Sequence, residues 1–374
     1  MKTAMYSRLI LTIILYSAFT FYLGWNLHLW LQSTFSLDIF SFVTAVIFLL
    51  SYSYVLARFF KRFLFLKYIG SYWFGVIQYA LLLLPLANFV GWLFIFTGFS
   101  PDSVVFWCGT VVLLLMVGIL GKGTFNAYSP VIREHSIEID KEAPFSSLRV
   151  VMASDMHFGH LSGKRHAARL VHEVNSLQPD LILLPGDIID DDPEPFIKKG
   201  FGDIMEKLSA TNGVYGVLGN HEYYGGGIPT YMKEMHRIGI PILMDETIVL
   251  EGGIQIVGRK DKTDRNRKSI EHLIEGLDKS KPIFIMDHQP LELVQAAEHG
   301  VDFMVSGHTH RGQMAPNHLI TKRIFELDWG YLKKNELHAF VSSGFGFWGP
   351  PLRIGSRSEI LLIDITFTKN SLHT

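Results

Sequence analysis

Five short clusters of polar residues in the second half of the chain carry side chains that bind metal ions. They combine carboxylates, imidazoles and one amide, and they contain no cysteine. Nitrogen and oxygen donors without thiolates suit Mn²⁺, Fe or Zn²⁺ better than they suit a cysteine-rich structural zinc site. The seven candidate ligands are Asp155, His157, Asp187, Asn220, His288, His308 and His310.

The spacing of these residues favours one shared site. In Asp155-x-His157 and His308-x-His310, a period of two puts both side chains on the same side of an extended segment. Seven ligands are more than one tetrahedral ion uses, whereas two ions that share one carboxylate would use them all. Asp187 is the natural bridge. Two metal ions about 3.5–4 Å apart hold the attacking and leaving oxygens of an in-line displacement, and a metal-bound water loses its proton near neutral pH.

The elements that precede the clusters predict how they are positioned. Each cluster follows an apolar run that is too short for a helix and therefore predicts a buried strand. Helical patterns lie between these runs, so the sequence predicts a layered α/β domain with the clusters converging beyond the carboxyl ends of the strands. The runs are Leu148–Ala153, Leu181–Leu184, Gly213–Leu218, Pro282–Met286 and Val301–Val305.

In this order, the motifs resemble those of the calcineurin-like metallophosphoesterases, especially the bacterial membrane-anchored branch and its transmembrane metallophosphoesterase relatives. The resemblance covers roughly residues 147–365. It implies a β-sandwich flanked by helices and the hydrolysis of a phosphate ester. The motifs are Asp155-x-His157, Gly186-Asp187-x-x-Asp190, Gly219-Asn220-His221-Glu222, His288 and Gly307-His308-x-His310, followed by Arg311-Gly312-Gln313, Ser342-Ser343-Gly344-Phe345-Gly346 and Trp348-Gly349-Pro350-Pro351-Leu352-Arg353.

The resemblance also implies roles for individual residues. His221 would stay off the metals and face the scissile phosphate, where it stabilises charge or protonates the leaving oxygen. Asp190 would hold His221 or a ligand in place. Members of the branch often have Gly where this chain has Arg311, which leaves metal binding untouched and changes the pocket rim. One metal ion would take Asp155, His157, Asp187 and His310, and the other Asp187, Asn220, His288 and His308.

Four apolar stretches near the start of the chain predict membrane-spanning helices, because each approaches the roughly 17–25 residues that cross the hydrocarbon core. They cover residues 9–31, about 39–57, Tyr72–Thr97 and Val104–Leu120. Retained spans are favoured over a cleaved signal peptide, since the first run is too long and no small-x-small cleavage site follows it. The sequence therefore predicts an all-α four-helix transmembrane region ahead of the α/β domain.

Basic residues around these spans predict their orientation. The positive-inside rule places both chain ends and the C-terminal domain in the cytoplasm, so we expect a multi-pass protein of the inner cell membrane. The single cysteine, Cys108, excludes an intrachain disulfide and fits a reducing compartment. The basic residues are Lys2 and Arg8 before the first span, Arg58, Lys61, Arg62 and Lys67 between the second and third, and Lys122 after the fourth.

Composition divides the chain into an anchor and a catalytic part. Residues 1–125 have a net charge of +5, and residues 126–374 have a net charge of −6, so a non-specific nucleic-acid binder is disfavoured. We expect a transmembrane anchor over residues 1–125, a linker over 126–146 that contains Pro130 and Pro144, and a metallophosphoesterase domain over 147–367.

The residues leave several functions open. The first is a membrane-anchored phosphoesterase that cleaves a monoester, a diester or a pyrophosphate. A non-catalytic regulatory module on the same fold is disfavoured by the complete ligand set, and a nuclease of the superfamily by the acidic domain. A lipid-linked pyrophosphatase of the lipid A precursor type is a further alternative. One common group of these enzymes has a motif that resembles GNRD at the position where this chain has Gly219-Asn220-His221-Glu222, which argues against that group. Expected partners are a phosphate-ester substrate, lipid-linked in the last case, and membrane lipid.

Two charged segments are expected to be solvated loops. One is the acidic run Asp191–Glu194 that follows Asp190. The other is the basic segment Arg259–Lys268, for which contact with anionic headgroups is the alternative.

Overall fold

A computed structural model describes residues 2–59 and 63–370 of the chain. The chain forms two compact units, a helical unit over Met1–Gly123 and a C-terminal unit over Thr124–Thr374. Two of the basic residues used to predict the orientation, Lys61 and Arg62, lie outside the described residues.

The helical unit contains four long apolar helices, and each of the four predicted spans falls on one of them. All four are long and apolar enough to cross a membrane, which supports membrane association of the chain. Small residues allow close packing: a Cβ at Gly70 would lie 2.5 Å from the backbone nitrogen of Tyr54. The helices are α1 (Lys2–Phe35), α2 (Phe40–Phe59), α3 (Leu64–Phe96) and α4 (Pro101–Tyr128).

The C-terminal unit is built on two sheets. In the first sheet the order is β1-β11-β2-β3-β4, and in the second it is β5-β6-β7-β8-β10-β9. The strands that precede the polar clusters are β2, β3 and β4 in the first sheet and β7 and β8 in the second. The strands are β1 (Val131–Ala143), β2 (Ser147–Met152), β3 (Leu181–Pro185), β4 (Val214–Val217), β5 (Glu246–Val249), β6 (Gln255–Gly258), β7 (Ile283–Met286), β8 (Phe303–Ser306), β9 (Gly330–Lys334), β10 (Leu337–Val341) and β11 (Glu359–Asn370).

Apolar side chains from both sheets form one core between them. Val150 and Leu183 of the first sheet pack in the same buried cluster as Phe284 and Val305 of the second. Helices cover the outer faces; Leu170 of α5, for example, is fully buried. The predicted layered α/β sandwich is therefore confirmed. The helices of this unit are α5 (Lys164–Ser176), α6 (Pro193–Lys198), α7 (Phe201–Met205), α8 (Asn220–Tyr224), α9 (Ile228–Arg237), α10 (Ile270–Ile274), α11 (Leu293–Glu298) and α12 (His318–Ile324).

The segment over residues 126–146 is more than a linker, which corrects the sequence prediction. Within it, β1 pairs in parallel with β11 from Val131 to Ala143 and forms the edge of the first sheet. Side chains alternate at the centre of the strand, with Ile137 and Ile139 buried and Ser136, Glu138 and Asp140 exposed. This alternation buries one face of the segment, so it belongs to the folded unit.

Candidate metal centre

All seven candidate ligands follow the carboxyl ends of strands, as predicted, and these strands come from both sheets of the sandwich. The first sheet supplies the ligands after β2, β3 and β4, and the second supplies those after β7 and β8. The two sheets end at the same side of the sandwich, so the predicted residues come together. Six of the seven are buried, and His308 is half-buried.

One group of ligands consists of Asp155, His157 and His310, whose donor atoms lie within 4.8 Å of one another. The Nε2 atoms of His157 and His310 are 3.0 Å apart. The Nε2 atom of His310 is 3.5 Å from Oδ1 of Asp155. Three donors from two strand ends therefore surround one point.

The second group consists of Asp187, Asn220, His288 and His308. The Nε2 atom of His288 lies 3.2 Å from Oδ2 of Asp187 and 3.1 Å from Oδ1 of Asn220. The same amide oxygen is 2.8 Å from Nδ1 of His308. Asp187, His288 and His308 form a set that could hold a metal ion.

Asp187 lies between the two groups. Its Oδ2 atom is 3.7 Å from Nε2 of His157 in the first group and 3.2 Å from Nε2 of His288 in the second. Its other oxygen accepts a hydrogen bond from the backbone N–H of His221 at 2.9 Å. The carboxylate is thus oriented by the chain and reaches ligands of both groups.

Hydrogen bonds outside the two groups orient the donors. Nδ1 of His288 donates to the carbonyl of Pro185 at 2.8 Å, which fixes the ring so that Nε2 faces Asp187 and Asn220. Asp155 accepts from the Ser154 hydroxyl at 2.5 Å and from the backbone N–H of His308 at 2.9 Å. These contacts fix the ligands before any ion binds.

Burial and mutual interaction shift the pKa values of the carboxyl and imidazole groups in the cluster. Burial raises the pKa of Asp155 to about 6 and lowers the pKa of His157 to about 3. Burial also lowers the pKa of His308 to about 4. Burial opposes ionisation of Asp187 as well, but the imidazoles of His288, His157 and His221 hold its pKa well below the usual value. Burial lowers the pKa of His288, but Asp187 and Asp155 raise it well above the usual value, so the carboxylates of the site already attract positive charge. Carboxylates beside deprotonated imidazoles are the donors that divalent cations require.

Five ligands adopt left-handed backbone conformations that residues other than glycine rarely populate. The φ angles are 53° for Asp155, 46° for His157, 51° for Asp187, 71° for His308 and 48° for His310. Such conformations cost of order 1–3 kcal/mol each and cluster at functional sites. The strands end here in sharp turns that aim successive side chains inward.

Glycines allow the ligand loops to approach each other closely. A Cβ at Gly219 would lie 2.2 Å from Oδ1 of Asp187 and 2.6 Å from its backbone nitrogen. A Cβ at Gly307 would lie 2.2 Å from Oδ2 of Asp155. The glycines of the GNHE and GHTH motifs are therefore needed for space around the carboxylates.

Replacing Gly219 with Ala is expected to displace Asp187 and weaken metal binding by about 10–100-fold, the usual effect of disturbing the support of a metal ligand. Metal titration of the purified protein measures this effect. Gly163→Ala is the matched control, since a Cβ there meets no atom within 4 Å. Equal metal affinity of the two variants would contradict the prediction.

His221 is not in the sets that contain Asp155 or His288, but it forms a further set of potential donors with His157 and Asp187, whose ligand atoms lie within 4.8 Å of one another. Its ring is 4.6 Å from that of His157, centroid to centroid. Nδ1 of His221 is 2.7 Å from Oδ1 of Asp191 and 4.0 Å from Oδ1 of Asp190. Burial lowers its pKa, but the hydrogen bond to Asp191 and the charges of Asp187, Asp191 and Asp190 raise it to about 9. Both acidic neighbours therefore favour a protonated His221.

Asp191 corrects the sequence interpretation, which placed every acidic residue after Asp190 in a solvated loop. The Asp191 side chain is 53% exposed, but its carboxylate makes the shortest contact with His221. Asp190, which the sequence analysis proposed as the positioning residue, is the farther of the two. Adjacent residues of like charge cannot be distinguished by composition alone, and the turn after β3 decides which one reaches the imidazole.

Comparisons with known proteins agree with this geometry. The sequence profile of the calcineurin-like phosphoesterases matches residues 148–312. A Helicobacter pylori protein named an uncharacterized metallophosphoesterase is 34% identical over 254 residues, which are 66% of this chain and 67% of that protein. The chain belongs to the calcineurin-like metallophosphoesterase family.

Two further relatives extend the similarity. A Campylobacter jejuni metallophosphoesterase is 27% identical over 379 residues, with 87% of this chain and 98% of that protein covered. A Danio rerio transmembrane protein with a metallophosphoesterase domain is 28% identical over 269 residues, or 67% of this chain and 61% of that protein. This metallophosphoesterase is a metal-dependent phosphoesterase with long apolar helices ahead of its catalytic unit.

Glu222 is a functional residue of the metallophosphoesterase site to which the sequence analysis gave no role. Its carboxylate accepts backbone hydrogen bonds from Gly219 at 2.7 Å, Asp187 at 3.1 Å and Ile189 at 3.0 Å. It therefore joins the loops after β3 and β4, which carry Asp187 and Asn220. Glu at the third position of a helix is a known capping signal, and this signal could have identified it.

The loop that follows β10 supports the Asp155 motif. The backbone N–H groups of Phe345 and Gly346 donate to the carbonyls of Ser154 and Asp155 at 2.8 and 2.9 Å. The buried guanidinium of Arg353 donates twice to the carbonyl of Gly346. The Ser-Ser-Gly-Phe-Gly segment and the distant arginine of this family branch thus act together on one ligand turn.

Two arginines adopt arrangements that the sequence did not predict. Arg311 has a φ of 50°, where glycine is favoured, and its guanidinium lies 3.9 Å from the ring centroid of Trp329. Arg259, from the basic segment, is buried and pairs with Asp287 at 3.0 Å and Glu292 at 2.8 Å. Arg267 also pairs with Asp287 at 3.4 Å and Glu292 at 2.6 Å, so the segment Arg259–Lys268 is tied to the core near both of its ends rather than solvated throughout.

The donor set fits two divalent metal ions. It provides two adjacent groups of nitrogen and oxygen donors, a carboxylate between them and no thiolate. The buried Nδ1 of His157 has no hydrogen-bond partner among the described residues. Nε2 is the atom of His157 that faces Asp187 and His310, so packing rather than a hydrogen bond at Nδ1 orients this ring.

Proposed function

We propose that this protein is a membrane-anchored dinuclear phosphoesterase that hydrolyses a phosphomonoester, phosphodiester or pyrophosphate bond at the cytoplasmic face of the inner membrane. The position of Asp187 carries the proposal, because one carboxylate oxygen lies within 3.7 Å of His157 and 3.2 Å of His288. A carboxylate placed between two ligand groups suits the short separation of about 3.5–4 Å between the metal ions of a site for in-line displacement.

The two ligand groups would divide the ions between them. When bound, the metals supply Lewis-acid activation of a phosphoryl oxygen and lower the pKa of a coordinated water. Nitrogen and oxygen donors fit manganese, iron or zinc. In this proposal one ion takes Asp155, His157, Asp187 and His310, and the other takes Asp187, Asn220, His288 and His308.

His221 is proposed to act on the leaving oxygen. Its Nδ1 faces the carboxylates of Asp191 and Asp190, so Nε2 is the atom available for the substrate. The two carboxylates keep the imidazole protonated and fix its ring plane, so that it donates a hydrogen bond or a proton to the departing group. Asp191 and Asp190 are positioning residues in this scheme.

Metal-dependent hydrolysis tests the proposed function directly. The full-length protein, freed of metal by chelation and then reloaded with Mn²⁺, Fe²⁺ or Zn²⁺, is assayed on an aryl monoester, an aryl diester and a lipid pyrophosphate. We expect activity on at least one ester only after reloading. Stoichiometric metal binding without hydrolysis of any substrate would instead favour a regulatory module on the same fold.

The orientation of the catalytic unit is a separate prediction. Basic residues, including Arg8, Lys67 and Lys122, lie before the first span, between the second and third spans, and after the fourth span. The positive-inside rule places these three positions in the cytoplasm. A fluorescent protein fused after residue 374 should therefore fluoresce in cells, and alkaline phosphatase fused at the same place should be inactive. Alkaline phosphatase activity at that site would show the opposite orientation.

A further inference from the structure

Helix α12 differs from every other helix of the C-terminal unit in what it exposes. None of its residues is buried. Leu319, Ile320 and Ile324 are 55%, 60% and 62% exposed. Among the described residues of this unit, no other helix exposes more than one large apolar side chain. A surface helix of a soluble domain normally buries its apolar stripe, so this exposed set needs a partner.

Two cations share the exposed side of α12. Lys322 and Arg323 are both exposed and lie between the apolar residues in sequence. At 100° per residue, these five side chains occupy one continuous half of the helix surface. We call this set the α12 outer face, and it consists of Leu319, Ile320, Lys322, Arg323 and Ile324.

The opposite side of α12 is fastened to the metal centre. The Thr321 hydroxyl donates to Oδ2 of Asp328 at 2.7 Å, and the Thr309 hydroxyl donates to the backbone carbonyl of Asp328 at 2.6 Å. The ring of Phe325, directly after the helix, lies 5.9 Å from that of His308. The outer face is therefore held in a fixed orientation by residues that contact the metal-binding motif.

We propose that the α12 outer face binds an anionic membrane surface. The same chain carries four helices that are long and apolar enough to cross a membrane, so a bilayer would be the partner within reach of the C-terminal unit. Leucine and isoleucine enter the boundary between headgroups and acyl chains, while lysine and arginine extend to lipid phosphates. Aliphatic side chains next to cations fit an anionic lipid surface better than they fit an acidic protein, because the aliphatic side chains need an apolar partner.

This contact would bring the membrane surface next to the metal centre, because Phe325 separates α12 from His308 by a single ring contact. Membrane binding by α12 does not depend on catalysis. The proposed function can therefore fail while the interface stands, and the reverse is also true.

Depth-dependent fluorescence quenching tests the interface in the full-length protein. In a Cys108→Ser background, Ile320→Cys carries an environment-sensitive nitrobenzoxadiazole probe, and the protein is placed in nanodiscs of phosphatidylcholine and phosphatidylglycerol. Val249→Cys is the matched control, because Val249 is 64% exposed on β5. Lipids with a nitroxide on the fifth acyl carbon should quench the probe at position 320 about twofold and leave position 249 unquenched.

Charge reversal separates a lipid contact from general proximity. Lys322→Glu with Arg323→Glu should weaken the quenching at position 320 about fivefold or more. Lys164→Glu with Arg165→Glu, an exposed Lys-Arg pair in α5, should leave it unchanged. Metal content and circular dichroism verify that each variant is folded. Absence of quenching at position 320, or equal quenching at positions 320 and 249, would overturn the proposal.

Discussion

Replacing Asp187 with Asn is expected to remove metal from both ligand groups and to lower hydrolysis by about 10³-fold. Asn preserves the shape of the side chain and removes its charge. The Asp187 carboxylate lies 3.7 Å from Nε2 of His157 and 3.2 Å from Nε2 of His288, so loss of its charge should weaken both ligand groups. Elemental analysis of the purified variant, together with turnover on the best substrate, measures both effects.

His310→Ala provides the comparison for Asp187→Asn. His310 contacts His157 and Asp155 of the first group only, at 3.0 and 3.5 Å. We therefore expect this variant to lose about half of its metal and to keep the second group occupied. Two full equivalents of metal in Asp187→Asn would show that the carboxylate is not shared.

His221→Ala is expected to keep both metals and the fold while turnover falls by about 10²–10⁴-fold. The ring of His221 forms a set of potential donors with His157 and Asp187, but its Nδ1 is engaged by Asp191 at 2.7 Å, which favours a protonated imidazole that does not bind a metal ion. The loss should be smaller for an ester with a good leaving group, such as a nitrophenyl ester, because that oxygen needs less protonation. Turnover on esters of graded leaving-group pKa, with metal content and melting temperature, provides the measurement.

Asp191→Asn is the matched positioning variant for His221. It removes the charge 2.7 Å from Nδ1 of His221 but keeps a group that can hydrogen-bond there. We expect a smaller loss of turnover than for His221→Ala, with the same dependence on the leaving group. If His221→Ala instead lost stability and metal together, with no dependence on the leaving group, then His221 would be a structural residue.

The convergence of the seven candidate ligands could be predicted from the sequence because their signals are local. Each candidate ligand follows a short apolar run within a few residues. Such a run is typical of a buried strand, so the ligand is expected just after the carboxyl end of that strand. Their left-handed conformations, such as φ of 51° at Asp187, could not be predicted. These conformations are imposed by contacts with other loops, including the backbone bond from His221.

The elements that were missed depend on contacts distant in sequence. β1 has a clear alternation, but its partner β11 begins more than 200 residues later, and Val131 pairs with Glu359. Arg259 appeared to belong to a solvated basic segment because its partners, Asp287 and Glu292, lie beyond the next strand. In both cases the local composition predicts exposure to solvent, whereas contacts with residues distant in sequence bury the segment or the side chain.

The position of β11 in the first sheet also sets the order of events during synthesis. β11 lies between β1 and β2, pairing in parallel with one and antiparallel with the other. The ribosome therefore releases all four apolar helices and all seven metal ligands before residues 359–370 can complete the sheet. Membrane insertion can begin while the catalytic unit is still unfinished. A chain interrupted before residue 359 would carry the anchor and every ligand but lack the strand that aligns them.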